Sequence, residues 1–400
     1  MNREELIRMA RRNIEHVRAE SVDQAEGIYR VPALHYVDQG RWQLEMDRIF
    51  RRLPLVLGLT AELREPGAYR SLIVADVPVL LTRDADGVLR GFVNACSHRG
   101  AMVVAEGSGN ATRFTCPYHA WSYDSEGALV GIYKQKDFGD LDKDCHGLTP
   151  IPVCERAGLI WGALSDTVPV DIDRFLSGYD EVLDSLGLAE AHLVGRQVVS
   201  GPGWKVAYDG YLDFYHLPIL HRESFGPDMP NDALYDDYGP HQRVSMPNAG
   251  LLELDGTPEG EWAVDQMNGG VWTVFPHISI ADFEAEGKIF MVSQLFPGST
   301  PDESITIQNF LSVDERSEAG MKAVEAQMAF LLDVVRDEDY ATGKRIQKTL
   351  KTGVAGDVLF GRNELGGQRF HRWVDAILKT DDADLDALFA VGVDAGGRRD

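Results

Sequence analysis

The sequence predicts an α+β fold in two main parts, and three observations carry that expectation. Residues from about 40 to 165 read as short strands separated by turn signals. From about 166 onward, strand-like runs mix with amphipathic helical stretches. A chain of 400 residues, 44% hydrophobic and 26% charged, has the length for two domains and the composition of a soluble globular protein.

The elements follow in order. Leu6, Ile7, Ala10, Ile14 and Val17 share one helical face, so the N-terminus is expected to be an amphipathic helix. It has neither the apolar core nor the small-residue cleavage site of a secretory signal. The stretch Val77 to Asn94 reads as a hairpin turning at Asp86-Gly87, and Asp124 to Gly127 turns a second. Leu159-Ile-Trp161-Gly reads as a closing strand. Val170 to Leu188 is expected to be helical, and residues 223–262 form a long irregular stretch, which points to a functional loop. Strands are expected at Val271–Pro276, His277–Ala281, Ile289–Pro297 and Ile305–Val313. Helices are expected at Glu315–Val335 and Gln368–Leu378, with a fraying tail from Asp381.

The net charge of −24 argues against nucleic acid and anionic lipid as partners and favours solubility. No apolar run approaches the roughly 20 residues of a membrane span. The reading is of a cytoplasmic chain, in which the four cysteines favour metal over disulfides. Cys145-His146 resembles a ligand pair, but no second pair remains to complete it, so Cys145 and Cys154 are read as ordinary thiols.

The chemistry concentrates in Cys96, His98, Cys116 and His119, which read C-x-H, a gap, then C-x-x-H on loops beside hairpins. A structural zinc site usually groups cysteine with cysteine and histidine with histidine. Here each half supplies one of each, as in a Rieske [2Fe–2S] centre, where two Cys hold one iron and two His the other. Downstream, Asp213-x-x-His216-x-x-x-x-His221 offers a second histidine set. If 205–215 is helical, Asp213 and His216 share a face, Pro218 ends the helix, and a turn returns His221 to the same metal. Arg336-Asp337-Glu338-Asp339 supplies three carboxylates that could complete a facial triad.

Cys96-x-His98-Arg99-Gly100 with Cys116-Pro-Tyr-His119-x-Trp121 resembles the Rieske domain of the Rieske non-haem iron ring-hydroxylating oxygenases, α subunit. The flanking Glu45–Phe50, Asn94, Gly127 and Gly158–Trp161 agree, while Ala120 stands where that family usually has Gly. The resemblance implies a Rieske β-domain (41–165) between an N-terminal helical segment (1–40) and a catalytic domain of helix-grip character, antiparallel sheet with helices (166–400). It makes His216 and His221 ligands of mononuclear Fe(II) and favours Asp339 as the third, upstream of Gln347. It makes Asp213 a bridge to a Rieske histidine of a neighbouring subunit, hence a homotrimer, with or without a β subunit. Asp209 stands where many relatives carry Asn. With Tyr208, Trp272, Phe275, His277 and Phe283 it is a candidate for the substrate pocket. His371 is expected to pack near the last helix.

The implied function is the terminal oxygenase of a multicomponent system, which hydroxylates a small, aromatic substrate using O2. The sequence has no flavin or nicotinamide fingerprint, so NAD(P)H-derived electrons must come from a reductase, with or without a ferredoxin. The alternatives are a Rieske monooxygenase acting in N- or O-demethylation or on a quaternary ammonium substrate, and an electron carrier whose second site is inactive.

Overall fold

The structure is a computed structural model that describes residues 2–164, 170–254 and 256–393. The chain forms two compact units, Phe50–Pro169 with Leu188–Glu190, and Met1–Ile49 with Val170–Gly187 and Ala191–Asp400. Residues 41–49 therefore group with the larger unit. The boundary expected at 165/166 lies outside the described residues. The fold is α+β, with antiparallel sheets in both units.

Among its described residues the smaller unit holds ten short strands: β1 (Leu55–Leu59), β2 (Ala68–Val74), β3 (Val77–Arg83), β4 (Leu89–Val93), β5 (Gly107–Asn110), β6 (Arg113–Thr115), β7 (Ser122–Asp124), β8 (Leu129–Gly131), β9 (Val153–Arg156) and β10 (Leu159–Gly162). They form three sheets in the orders β4-β3-β2-β5, β6-β7-β8 and β9-β10-β1. Both expected hairpins are present, and one device builds both turns. Asp84 Oδ1 accepts from the amides of Asp86 and Val88, as Asp124 Oδ1 does from Glu126 and Ala128. Gly87 and Gly127 supply the positive φ that each turn needs. Leu80, Phe92, Phe114, Trp121, Tyr123 and Leu129 pack into a core that also encloses Cys96 and Cys116.

In the larger unit, α1 (Arg3–Ala19) starts at Asn2, whose side chain accepts from the Glu5 amide. It buries Leu6, Met9, Ala10, Asn13 and Ile14. The sheet has seven antiparallel strands: β11 (His192–Pro202), β12 (Leu234–Tyr238), β13 (His241–Ser245), β14 (Val271–Val274), β15 (Ile278–Glu284), β16 (Lys288–Pro297) and β17 (Glu303–Ser312). Their order is β11-β17-β16-β15-β14-β13-β12. The helices are α2 (Trp204–Asp209), α3 (Glu318–Asp333), α4 (Tyr340–Leu350) and α5 (Leu365–Lys379), with shorter turns between. Among the described residues no helix is long and apolar enough to cross a membrane.

Several expected elements differ. Val170–Leu188 is two short helices, Ile172–Leu176 and Tyr179–Leu183, broken where Ser177 and Gly178 take positive φ. The irregular 223–262 stretch contains the β12–β13 hairpin. Its polar face concealed it: Asp236 is buried because Arg8 and Arg12 of α1 reach it at 3.3 Å each. The tail after Asp381 forms a further helix, Leu385–Val391.

Candidate metal centres

Two loops of the smaller unit repeat one backbone design. The Cys96 amide donates to the Ala101 carbonyl and the Cys96 carbonyl accepts from Gly100; Cys116 does the same with Trp121 and Ala120. Each loop closes through a residue at positive φ, Gly100 at +73° and Ala120 at +57°. Ala120 is thus less mild a departure than its size suggests, because an L-residue there costs about 1–2 kcal/mol.

The loops bring all four sequence-predicted residues together. Cys96 and Cys116 are buried at 3% exposure, form no disulfide, and share a core cluster with Trp121, whose ring stacks on His98 at 5.0 Å; the half-buried rings of His98 and His119 have centroids 4.7 Å apart. His119 Nδ1 is buried without a hydrogen-bond partner. Two buried thiols, two half-buried imidazoles and an orphaned ring nitrogen fit the donor set of a [2Fe–2S] cluster, which Cys96, Cys116, His98 and His119 would hold.

One residue near the cluster was missed. Tyr118, within the motif, is exposed, whereas the buried Tyr123 hydroxyl lies 3.2 Å from Cys96 Sγ and accepts from the Ser97 amide at 3.0 Å. Burial and the neighbouring Cys96 push its pKa up to about 12. The available signal was the two-residue alternation Trp121-x-Tyr123 into a strand, which sends both rings into the core. Cys145 is exposed and Cys154 lies on β9, neither in a disulfide.

In the larger unit, α2 ends at Asp209, and Pro218 sits in the first turn of a new helix, Leu217–Leu220. Proline therefore starts this helix rather than ending the preceding one, because the first turn needs no amide donor there. His216 and His221 flank that helix as its two caps. The carboxylates come from a π-helical turn, Val334–Asp339, between α3 and α4.

His216, His221 and Asp339 offer ligand atoms that all lie within 4.8 Å of one another. Asp339 Oδ1 is 3.3 Å from His221 Nε2 and 3.9 Å from His216 Nε2. The opposite nitrogens are held by other carboxylates. His216 Nδ1 is 3.0 Å from Asp213 Oδ1, and His221 Nδ1 is 2.6 Å from Glu338 Oε2, which also accepts from Ser224 Oγ. Burial works against charging His221, but Asp339 and Glu338 outweigh it and raise its pKa. Asp337 points away and pairs with Arg336. The arrangement leaves both Nε2 atoms and Asp339 converging, which suits a two-His, one-carboxylate metal set with an open face.

An inner chamber borders this set and shares wall residues with an outer one, and a further cavity of about 250 Å³, lined by Asp209, Asp213, His216 and Asp339 among others, borders the set as well. The inner one, about 150 Å³, is bounded by His216, His221 and Asp339 and by apolar walls including Phe214, Phe225, Val271, Phe283 and Met291. The outer one, about 640 Å³, shares Phe214, Leu217, Phe225, Val271, Ala281 and Phe283 with it. Of the sequence-predicted pocket residues, Phe283 lines both chambers. Phe275, His277, Tyr208 and Trp272 border neither and are buried in the core. His277 packs on Phe296, and burial drives its pKa down to about 3. Asp209 borders neither of these two chambers but lines the 250 Å³ cavity, where its two oxygens take the Tyr36 hydroxyl at 2.8 Å and His371 Nε2 at 2.9 Å. His371 packs within α5, as expected.

Comparison with known proteins accords with this picture. A Rieske [2Fe-2S] domain model matches residues 54–143, and the ring hydroxylating alpha subunit catalytic domain model matches 197–380. The chain is 32% identical over 385 residues to the terminal oxygenase component subunit alpha 2 of terephthalate 1,2-dioxygenase from Comamonas sp, covering 92% of this chain and 90% of that one. It is 30% identical over 222 residues to the glycine betaine monooxygenase oxygenase subunit of Chromohalobacter salexigens, covering 55% of this chain and about half, 48%, of that relative's length. The crystal structure of a quaternary ammonium Rieske monooxygenase superposes with a TM-score of 0.73 at 21% identity, over 88% of this chain and 96% of that one, a likeness of fold. Fold and sites together define a Rieske-type non-haem iron oxygenase chain. The chain belongs to the α subunits of the ring-hydroxylating Rieske oxygenases, whose cofactors are a [2Fe–2S] cluster and mononuclear iron.

Proposed function

We propose that this chain is a terminal oxygenase that hydroxylates a small aromatic substrate, fed with NAD(P)H-derived electrons by a separate reductase, with or without a ferredoxin. The carrying observation is the convergence of His216, His221 and Asp339 on an apolar chamber. When bound, the cluster supplies electrons one at a time and the mononuclear iron supplies O2 activation. Cys96, Cys116, His98 and His119 hold the cluster, and Tyr123 tunes it through Cys96. Asp213 and Glu338 fix the tautomer and orientation of His216 and His221. Phe214, Phe225 and Phe283 exclude water and hold the ring.

The division into residues 1–40, 41–165 and 166–400 accompanies this reading. So do a cytoplasmic location and a homotrimer, with or without a β subunit, in which Asp213 faces a neighbouring subunit's Rieske histidine.

An aromatic ring is preferred to a quaternary ammonium group for a physical reason. A carboxylate at Asp209 would have favoured a cation, but both Asp209 oxygens are committed to Tyr36 and His371, and the cavity it lines is not the apolar chamber beside His221. A cavity of roughly 150 Å³ with apolar walls holds one benzene-sized ring. The test supplies the full chain, loaded to about three irons, with a surrogate reductase, NADH and O2. Monocyclic arenes, aromatic acids and glycine betaine are offered in parallel. Hydroxylated ring product by mass spectrometry is expected. Turnover of betaine alone would move the assignment to the monooxygenase reading, and two irons with no turnover would leave an electron carrier.

A further inference from the structure

The outer chamber holds a charge that the function so far leaves unused. Arg243, on β13, lines it and is 2% exposed. A buried guanidinium carries five donors and a permanent charge, and it is costly unless acceptors surround it. Here the acceptors are few. Nη1 reaches the Met267 carbonyl at 3.4 Å and Met9 Sδ at 3.2 Å, and Nε is buried with no partner. Asp236 Oδ2 stands 3.9 Å from Nε, an ion pair buried on both sides but beyond hydrogen-bond reach, while its Oδ1 faces Arg8 and Arg12 at 3.3 Å each.

Two further features make this a place for a ligand. Gly270, which also lines the chamber, lies beside the guanidinium; a Cβ there would come within 3.4 Å of Arg243 Nε and 2.7 Å of the Val244 carbonyl. Glycine keeps that wall open. The other ionic group lining the chamber, Asp282, is matched by Lys288 at 3.5 Å. The chamber's ionic group with unfilled hydrogen-bond donors is therefore the guanidinium.

We propose that Arg243 is the specificity-determining residue for an anionic substituent. The substrate would be an aromatic acid whose ring enters the inner chamber while its carboxylate reaches back to the guanidinium. This rests on the oxygenase reading above and narrows its substrate class. A carboxylate supplies the two in-plane oxygens that a guanidinium fork accepts, and the shared walls of Phe214, Phe225 and Phe283 suit the ring between.

The test measures binding, so it is separate from turnover. The full chain with its metals is titrated calorimetrically with benzoate, phenylacetate, 3-phenylpropionate and 4-phenylbutyrate, each against its primary amide. The expected result is that at least one acid binds ten-fold or more tightly than its amide. That ratio should fall to about one in Arg243→Met and lie between in Arg243→Lys, which keeps the charge without the fork. Iron content and thermal unfolding check that each variant folds. Equal binding of acids and amides to the wild-type chain overturns the proposal without any variant, as does an acid preference that survives in Arg243→Met or an absence of binding by the whole series. If ring product still forms from neutral arenes in those cases, the oxygenase reading stands and the acid specificity alone has failed.

Discussion

Replacing Glu338 by alanine separates ligand from support in the acidic step. Glu338 Oε2 takes His221 Nδ1 at 2.6 Å and Ser224 Oγ at 2.8 Å, and the His221 side chain is only 4% exposed. Glu338→Ala leaves a buried imidazole N–H without its acceptor and frees the ring to turn. Loss of such an outer carboxylate typically costs 10–100-fold in metal affinity, or about 1.4–2.7 kcal/mol. Asp339→Ala removes a converging oxygen itself and is expected to cost well over 100-fold. Asp337→Ala is expected to change nothing beyond about two-fold, since its carboxylate faces Arg336 in solvent. Glu338→Gln retains an acceptor oxygen and should recover part of the loss. The assay is Fe(II) competition against a graded chelator with the cluster intact. A loss in Glu338→Ala equal to or larger than that in Asp339→Ala would mean that Glu338 ligates and that the division of roles is wrong.

Three other outcomes follow from the same structure. Ala120→Gly should stabilise the smaller unit: relief of about 1–2 kcal/mol at φ +57° is partly offset by about 0.4–1 kcal/mol of unfolded-state entropy. A net gain of about 0.5–1 kcal/mol raises Tm by roughly 2–5 °C in calorimetry, and an unchanged or lower Tm would count against the strain. Tyr123→Phe removes the hydroxyl 3.2 Å from Cys96 Sγ and should lower the cluster potential by roughly 20–60 mV, the one-electron equivalent of a net hydrogen bond; protein-film voltammetry showing no downward shift would refute it. His241 donates through Nε2 to the Phe175 carbonyl and accepts at Nδ1 from the Phe275 amide, and burial lowers its pKa to about 3. Its folded pKa lies below its unfolded value near 6.5, so its share of stability is complete above pH 6.5 and is lost as pH falls toward 3, by about 2 kcal/mol at pH 5. An NMR titration should find it neutral at pH 5, and a midpoint near 6.5 would contradict this.

Residue type and local spacing made some of this legible. Cys96, His98, Cys116 and His119 announce their chemistry because few arrangements alternate thiol and imidazole between hairpins. The two hairpin turns follow from Asp and Gly at fixed offsets, since the side chain and positive φ act within four residues. Phe275 and His277 were misplaced because apolar and aromatic residues on a strand look alike whether they face a chamber or the core. Asp209 stays ambiguous in the sequence for a related reason. Its neutralising partners, Tyr36 and His371, lie 173 and 162 residues away in the chain, so nothing local distinguishes a committed carboxylate from a free one.

The third ligand shows why spacing alone left three candidates. Successive residues of an α-helix point about 100° apart, so adjacent carboxylates ordinarily serve different surroundings. Here Glu338 and Asp339 reach opposite nitrogens of the same ring, His221. They do so from a π-helical turn, a local widening that is rare and recurs at functional sites. Helices α3 and α4 continue on either side of it, whereas the hydrophobic pattern supports a helix only to Val335 and gives no sign of the turn or of α4 beyond it. One imidazole thus receives its orienting carboxylate and its neighbouring ligand oxygen from consecutive residues, while His216 takes its orienting carboxylate from Asp213, three residues away on its own segment. The two histidines share a motif but depend on different parts of the chain. Damage to the Val334–Asp339 turn should therefore weaken the His221 side of the metal set first and leave the Asp213–His216 pair in place.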